Sequence, residues 1–138
     1  MINLQLILKL TAPVILLVGC LHLVLGVNAE VMLGANLSLA TVSDPVLDSQ
    51  NRFYGVAFTL YGFLLYVCAT DLTKYQSILR LALWVFFAAG CTRFVSLVIH
   101  GLPSDYVLIL MALELLMPPL GLVWLSKTLA MNDEKRDA

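Results

Sequence analysis

Charge is what this sequence has least of: only 12% of its 138 residues are Asp, Glu, Lys or Arg, against roughly 25% in an ordinary soluble domain. Together with a 61% hydrophobic content, that scarcity excludes a soluble globular protein. A core of this size cannot hide so much apolar surface, so lipid must cover the remainder. An excess of one sign is missing as well. The 8 basic and 9 acidic residues leave a net charge of -1, so no basic stripe exists to neutralise a phosphate backbone, and nucleic acid is excluded as a partner. Cysteine is scarce and unpatterned. Cys20, Cys68 and Cys91 lie in apolar runs without the paired ligand spacing of a zinc or thioredoxin site, and read as reduced packing residues. No phosphate loop, Ser-His-Asp set or metal-ligand cluster occurs, so no catalytic residue, metal or cofactor is expected.

What is present is a set of four apolar runs of membrane-spanning length. A hydrocarbon core about 30 Å thick needs about 20 mainly apolar helical residues, and the runs predict helices over about 6–27, 52–70, 77–100 and 105–126. The second is marked by Asp48, Ser49 and Asn51, residue types that cap first-turn amides, and the fourth by Ser104. Backbone amides in lipid need internal partners, so the expected fold is all-α, an integral-membrane antiparallel four-helix bundle in one domain. Residues 28–50 form a long first loop whose scattered apolar residues suit a segment on the bundle mouth or interface, with room for one short helix. The other two connections are tight turns, and residues 132–138 read as a mobile charged tail.

Leu17-Val18-Gly19-Cys20 has the look of a lipobox, but the apolar run continues through Leu25 where a lipoprotein turns polar, so helix one is expected to be retained. Lys9, Lys74, Arg80, Lys127, Lys135 and Arg136 fall on the side of both termini, whereas only Arg52 borders the first loop. Positive flanks stay cytoplasmic, which predicts a multi-pass protein of the bacterial inner membrane with both termini inside. Trp84 and Trp124 then sit near the inner interface as anchors.

Ionisable groups within a span are costly and normally face a partner or water. Arg93 lies seven residues before His100, and Glu114 nine residues after Asp105. At 1.5 Å per residue these are depths of about 10 and 13 Å beneath the same outer boundary, so the two are expected to form a salt bridge. In the same half lie His22, Glu30, Arg52, Tyr54, Thr59, Tyr61, Ser96 and His100. Arg93, Ser96 and His100 share a helix face, as do Arg52, Gly55, Thr59, Gly62 and Tyr66. The inner half offers little comparable chemistry, so the expected pocket opens only toward the periplasm. Two arginines and two histidines facing Glu30 and Glu114 leave spare guanidinium, which suits a carboxylate, phosphate or lipid headgroup. The bland alternative is that Arg93 and Glu114 only lock two helices. Pro118 lacks the amide that would bond the Glu114 carbonyl, which predicts a kink.

Asn51-Arg52-Phe53-Tyr54-Gly55 opening helix two, Arg93 in helix three, and Glu114 followed by Pro118 in helix four resemble the bacterial domain-of-unknown-function family 4345, over nearly the whole chain. The resemblance implies a small four-helix inner-membrane protein, distantly similar to DoxX-like bundles. It brings no reaction and no cofactor. A part in the envelope permeability barrier or antibiotic tolerance is what such a protein would be expected to play.

Three functions compete. The first is a noncatalytic protein that binds a lipid-like or small anionic ligand in a periplasm-facing pocket and supports envelope integrity, with the bilayer and a bound amphiphile as partners. The second is a scaffold or accessory subunit of another membrane protein. The third is a small transporter or membrane enzyme using His22 or Glu114 as a proton relay.

Overall fold

Apolar runs of this length become helices because hydrocarbon offers their amides no other partner. The computed structural model describes the backbone of residues 3–137 and the side chains of residues 3–132. Its elements in chain order are α1 (Leu4–Leu25), α2 (Asn28–Met32), α3 (Leu39–Val42), α4 (Pro45–Thr70), α5 (Gln76–His100) and α6 (Asp105–Asp137). Among the described residues there is no strand. α1, α4, α5 and α6 are each long and apolar enough to cross a membrane. Leu10, Leu17, Leu60, Leu81 and Val98 are 65–69% exposed, a display of apolar surface that water would not tolerate and lipid covers.

Two helix boundaries differ from the sequence expectation. α4 begins at Pro45 rather than near 52. Asp44 is its cap: Asp44 Oδ1 accepts from the amides of Val46 at 2.8 Å and Leu47 at 3.1 Å, and Pro45 occupies the first helical position, where its missing N–H costs nothing. Asp48, Ser49 and Asn51 therefore lie inside the helix and do not cap it. Replacing Asp44 with alanine is expected to lower stability by about 1 kcal/mol, readable as a lowered Tm in mild detergent. α6 continues past 126 to Asp137, because helix formers replace apolar residues there without any break. The expected tail is thus helical through Asp137, while Ala138 lies outside the described residues. The loop holds two short helices instead of one, α3 being capped by Ser38 Oγ, which accepts from the Thr41 amide at 3.2 Å.

The chain divides into two compact units, one of residues 8–66 and the other of residues up to Ile7 together with those from Val67 onward. In the first, α1 and α4 run antiparallel in close contact. A Cβ on Gly55 would lie 2.9 Å from the Gly19 carbonyl oxygen, and one on Gly62 would lie 2.7 Å from the Leu16 amide nitrogen. Small residues permit such approach between membrane helices. In the second unit α5 and α6 are antiparallel, with Gly90 against Glu114 and Leu115, and Gly121 against Leu83. Leu79, Ala82 and Leu125 are buried there. α6 remains one helix through Pro118 and Pro119, and the Pro118 side chain is fully buried.

Candidate functional site

Polar side chains of the first unit gather where α1 ends. A helix leaves its last carbonyls without intrahelical donors, and Arg52 supplies them: its Nη1 donates to the carbonyls of Leu23 at 3.0 Å and Val24 at 2.8 Å. Its Nε donates to Asp48 Oδ2 at 2.7 Å, one helical turn earlier. Asp48 Oδ1 accepts from the Val27 amide at 3.2 Å. A cation placed on a helix C-terminus also meets the negative end of the macrodipole. Gly26 turns the chain there with φ of 58°, and a Cβ at that position would run into Asp48 Oδ1. Arg52 is therefore engaged in closing α1 onto α4. Asp48 joins Glu30 as an acid of this unit, and its i,i+4 spacing to Arg52 is the signal for it in the sequence.

His22, one turn before the end of α1, is 9% exposed. Its Nδ1 lies 2.9 Å from the Val18 carbonyl oxygen, an atom that only accepts, so this nitrogen carries the proton. Its Nε2 faces Glu30 Oε1 at 3.4 Å. The structure thus brings His22 and Glu30 together, with Glu30 carried on α2. Thr59 donates to the Gly55 carbonyl at 2.8 Å and lies 3.9 Å from Cys20 Sγ, within the α1–α4 contact. Tyr54 is exposed, its ring edge-on to Phe53 at 6.0 Å, and Tyr61 is half-buried. Lower on the same helix pair, an apolar groove of about 450 Å³ is lined by Pro13, Leu16, Leu17, Cys20, Phe63 and Tyr66.

In the second unit the expected salt bridge is present. Arg93 Nε donates to Glu114 Oε2 at 2.7 Å, with the two side chains 32% and 3% exposed. The matched depths along antiparallel helices are what bring them level. Among the described residues this is the single hydrogen bond that Arg93 makes, so Nη1 and Nη2 retain their donors. Ser96 and His100, three and seven residues further along α5, are both exposed.

A polar cavity of about 240 Å³ lies at the other end of this unit, around the α4–α5 turn. Counting ionisable groups inside the spans does not point to this cavity, because it is built mainly from amides and hydroxyls at span ends.

These features define a helical, polytopic membrane protein with a part-buried arginine–glutamate pair joining two of its long helices. The chain belongs to the family described as "Domain of unknown function (DUF4345)", which matches residues 3–125. Neither curated proteins nor solved structures give a match.

Proposed function

We propose that this is a noncatalytic protein of the bacterial inner membrane, with both termini cytoplasmic, that holds the acidic head of an amphiphile at Arg93 and thereby supports the envelope permeability barrier and antibiotic tolerance. The observation that carries this reading is the half-used guanidinium. Buried Glu114 accepts a hydrogen bond from Nε–H and fixes the plane of the group, while Nη1 and Nη2 remain on a side chain one-third exposed. Two parallel donors held in this way match a carboxylate or phosphate. An arginine at membrane depth without further partners is costly, so an anion there offsets an unfavourable term. The apolar surroundings on α5 and α6 suit the tail of the same molecule.

Oleate is a suitable probe, with binding followed by native mass spectrometry of the detergent-solubilised protein. Arg93→Lys keeps the positive charge and removes the planar fork, and is expected to weaken oleate binding by about tenfold, the value of one charge-assisted hydrogen bond. Cells carrying only this variant should also become more sensitive to detergents that the intact envelope excludes. A folded Arg93→Lys protein that binds oleate as well as the wild type would overturn the proposal.

A further inference from the structure

We propose that the cavity at the α4–α5 turn is a binding site for a primary ammonium group, of the size and position of a lipid amine headgroup. Its walls come from the first turn of α1, the turn after α4 and the last turns of α6, all within one unit. The lining consists of Asn3, Gln5, Thr70, Thr73, Thr128 and Asn132, with Leu72 and a single charged residue, Asp71. Among the described residues no Lys or Arg lines it. The formal charge of the site is that of one carboxylate.

Hydrogen-bond direction narrows the ligand further. Thr70 donates its hydroxyl proton to the Val67 carbonyl at 2.7 Å, and Thr128 donates its own to the Trp124 carbonyl at 2.9 Å. Both oxygens can therefore only accept from a visitor. Asp71 accepts the Lys74 amide through Oδ1 at 2.9 Å, which leaves Oδ2 as a third acceptor. On the α1 side, the Gln5 backbone N–H is already held by Asn3 Oδ1 at 3.1 Å, and the side-chain amides of Asn3, Gln5 and Asn132 can turn either an oxygen or an N–H to a visitor. Thr70 is the last residue of α4, where the helix dipole places partial negative charge. The first turn of α1 brings a helix end of opposite partial charge to the same cavity, so the preference rests on the lone carboxylate and the two fixed threonine acceptors, which favour a cation rich in N–H donors.

Size and depth favour a headgroup. A cavity of about 240 Å³ is smaller than the roughly 300–1,000 Å³ of drug-sized sites, enough for an ethanolamine moiety with its first phosphate oxygens. It lies where α1 begins and where α4 and α6 run out of apolar residues, the level at which headgroups sit. A free primary amine presents the same chemistry from water, and the test separates the two sources.

The protein is placed in nanodiscs with equal parts of phosphatidylethanolamine and phosphatidylcholine, released, and the lipids retained are weighed by native mass spectrometry. In parallel, soluble ethanolamine and choline are titrated by ligand-observed NMR. Choline chemistry keeps the charge and removes every N–H. Retention of phosphatidylethanolamine over phosphatidylcholine by about tenfold, as expected for one charge-assisted hydrogen bond, with loss of that preference in Asp71→Asn, supports a lipid headgroup. The same Asp71 dependence for ethanolamine over choline, without lipid retention, supports a soluble amine. Asp71→Asn keeps an Oδ1 acceptor for the Lys74 amide, so the turn is preserved. Should that variant still misfold, Thr128→Val removes an acceptor on a different helix and must diminish the same preference. Equal binding of the primary and quaternary amines, no binding of either, or an undiminished preference in a folded variant overturns the proposal.

Discussion

Glu114→Leu, made while Arg93 stays in place, is expected to destabilise the protein by about 3–5 kcal/mol, the cost of leaving one member of a buried ion pair without the other. The damage should be asymmetric. Arg93→Leu strands a carboxylate, which can take up a proton and become neutral, whereas Glu114→Leu strands a guanidinium, which cannot lose one. Glu114 is also the more enclosed partner, at 3% exposure against 32%. The double variant Arg93→Leu with Glu114→Leu removes both charges and is expected to recover most of the loss, since apolar replacements of buried pairs are often neutral or better. Denaturant unfolding of the three variants in mild detergent measures the series. If Glu114→Leu unfolds within about 0.5 kcal/mol of wild type, an amount typical of surface changes, the pair does not hold α5 to α6.

The second large effect is expected at the α1–α4 contact. A Cβ on Gly55 would meet the Leu23 amide, with the His22 carbonyl carbon and the Gly19 carbonyl oxygen each at 2.9 Å. These are backbone atoms, which cannot rotate aside as a side chain can. Gly55→Leu must push the helices apart, at a cost at or above the roughly 1–3 kcal/mol of ordinary overpacking. It should also withdraw Arg52 from the Leu23 and Val24 carbonyls. Gly121 is the internal comparison. Its nearest neighbours are the terminal methyls of Leu83 at 3.4 Å, so Gly121→Ala is expected to be neutral, or stabilising by up to about 1 kcal/mol through backbone entropy. Thermal unfolding of the two variants side by side reads the difference, and equal tolerance at both positions would rule out a close α1–α4 contact at Gly55.

The parts of the structure legible in the sequence are those governed by counting along one helix. Arg93 and Glu114 pair because rise per residue fixes their depth, and the topology of successive spans makes them neighbours. The existence of the four long helices follows from apolar length alone. What escaped was set by local chemistry of a different kind or by contacts distant in sequence. Asp44-Pro45 is a strong start signal, but the polar run from Asp48 to Arg52 looks equally like a helix end, seven residues later, until the partners of those side chains are known. Those partners are the Leu23 and Val24 carbonyls and the Val27 amide, more than twenty residues away, at a distance no periodicity reports. The end of α6 was placed at the end of its apolar stretch, although a helix can leave the lipid and continue through polar residues with its hydrogen bonds intact. Periodicity aligns Ser96 and His100 with Arg93 on one face of α5, and both are exposed.

The Arg52 and Asp48 contacts also alter how the stretch between α1 and α4 is to be regarded. Its two ends are fastened at a single point, with Val27 bound on one side and the guanidinium seated on the other. Chain emerging from that clasp hangs as a closed bight, and the alignment of the two long helices is secured at its base. Beyond α2, whose Ala29 is buried and whose Glu30 faces His22, related sequences can therefore lengthen, shorten or redecorate the bight between Leu33 and Ser43 while the helices beneath keep their register.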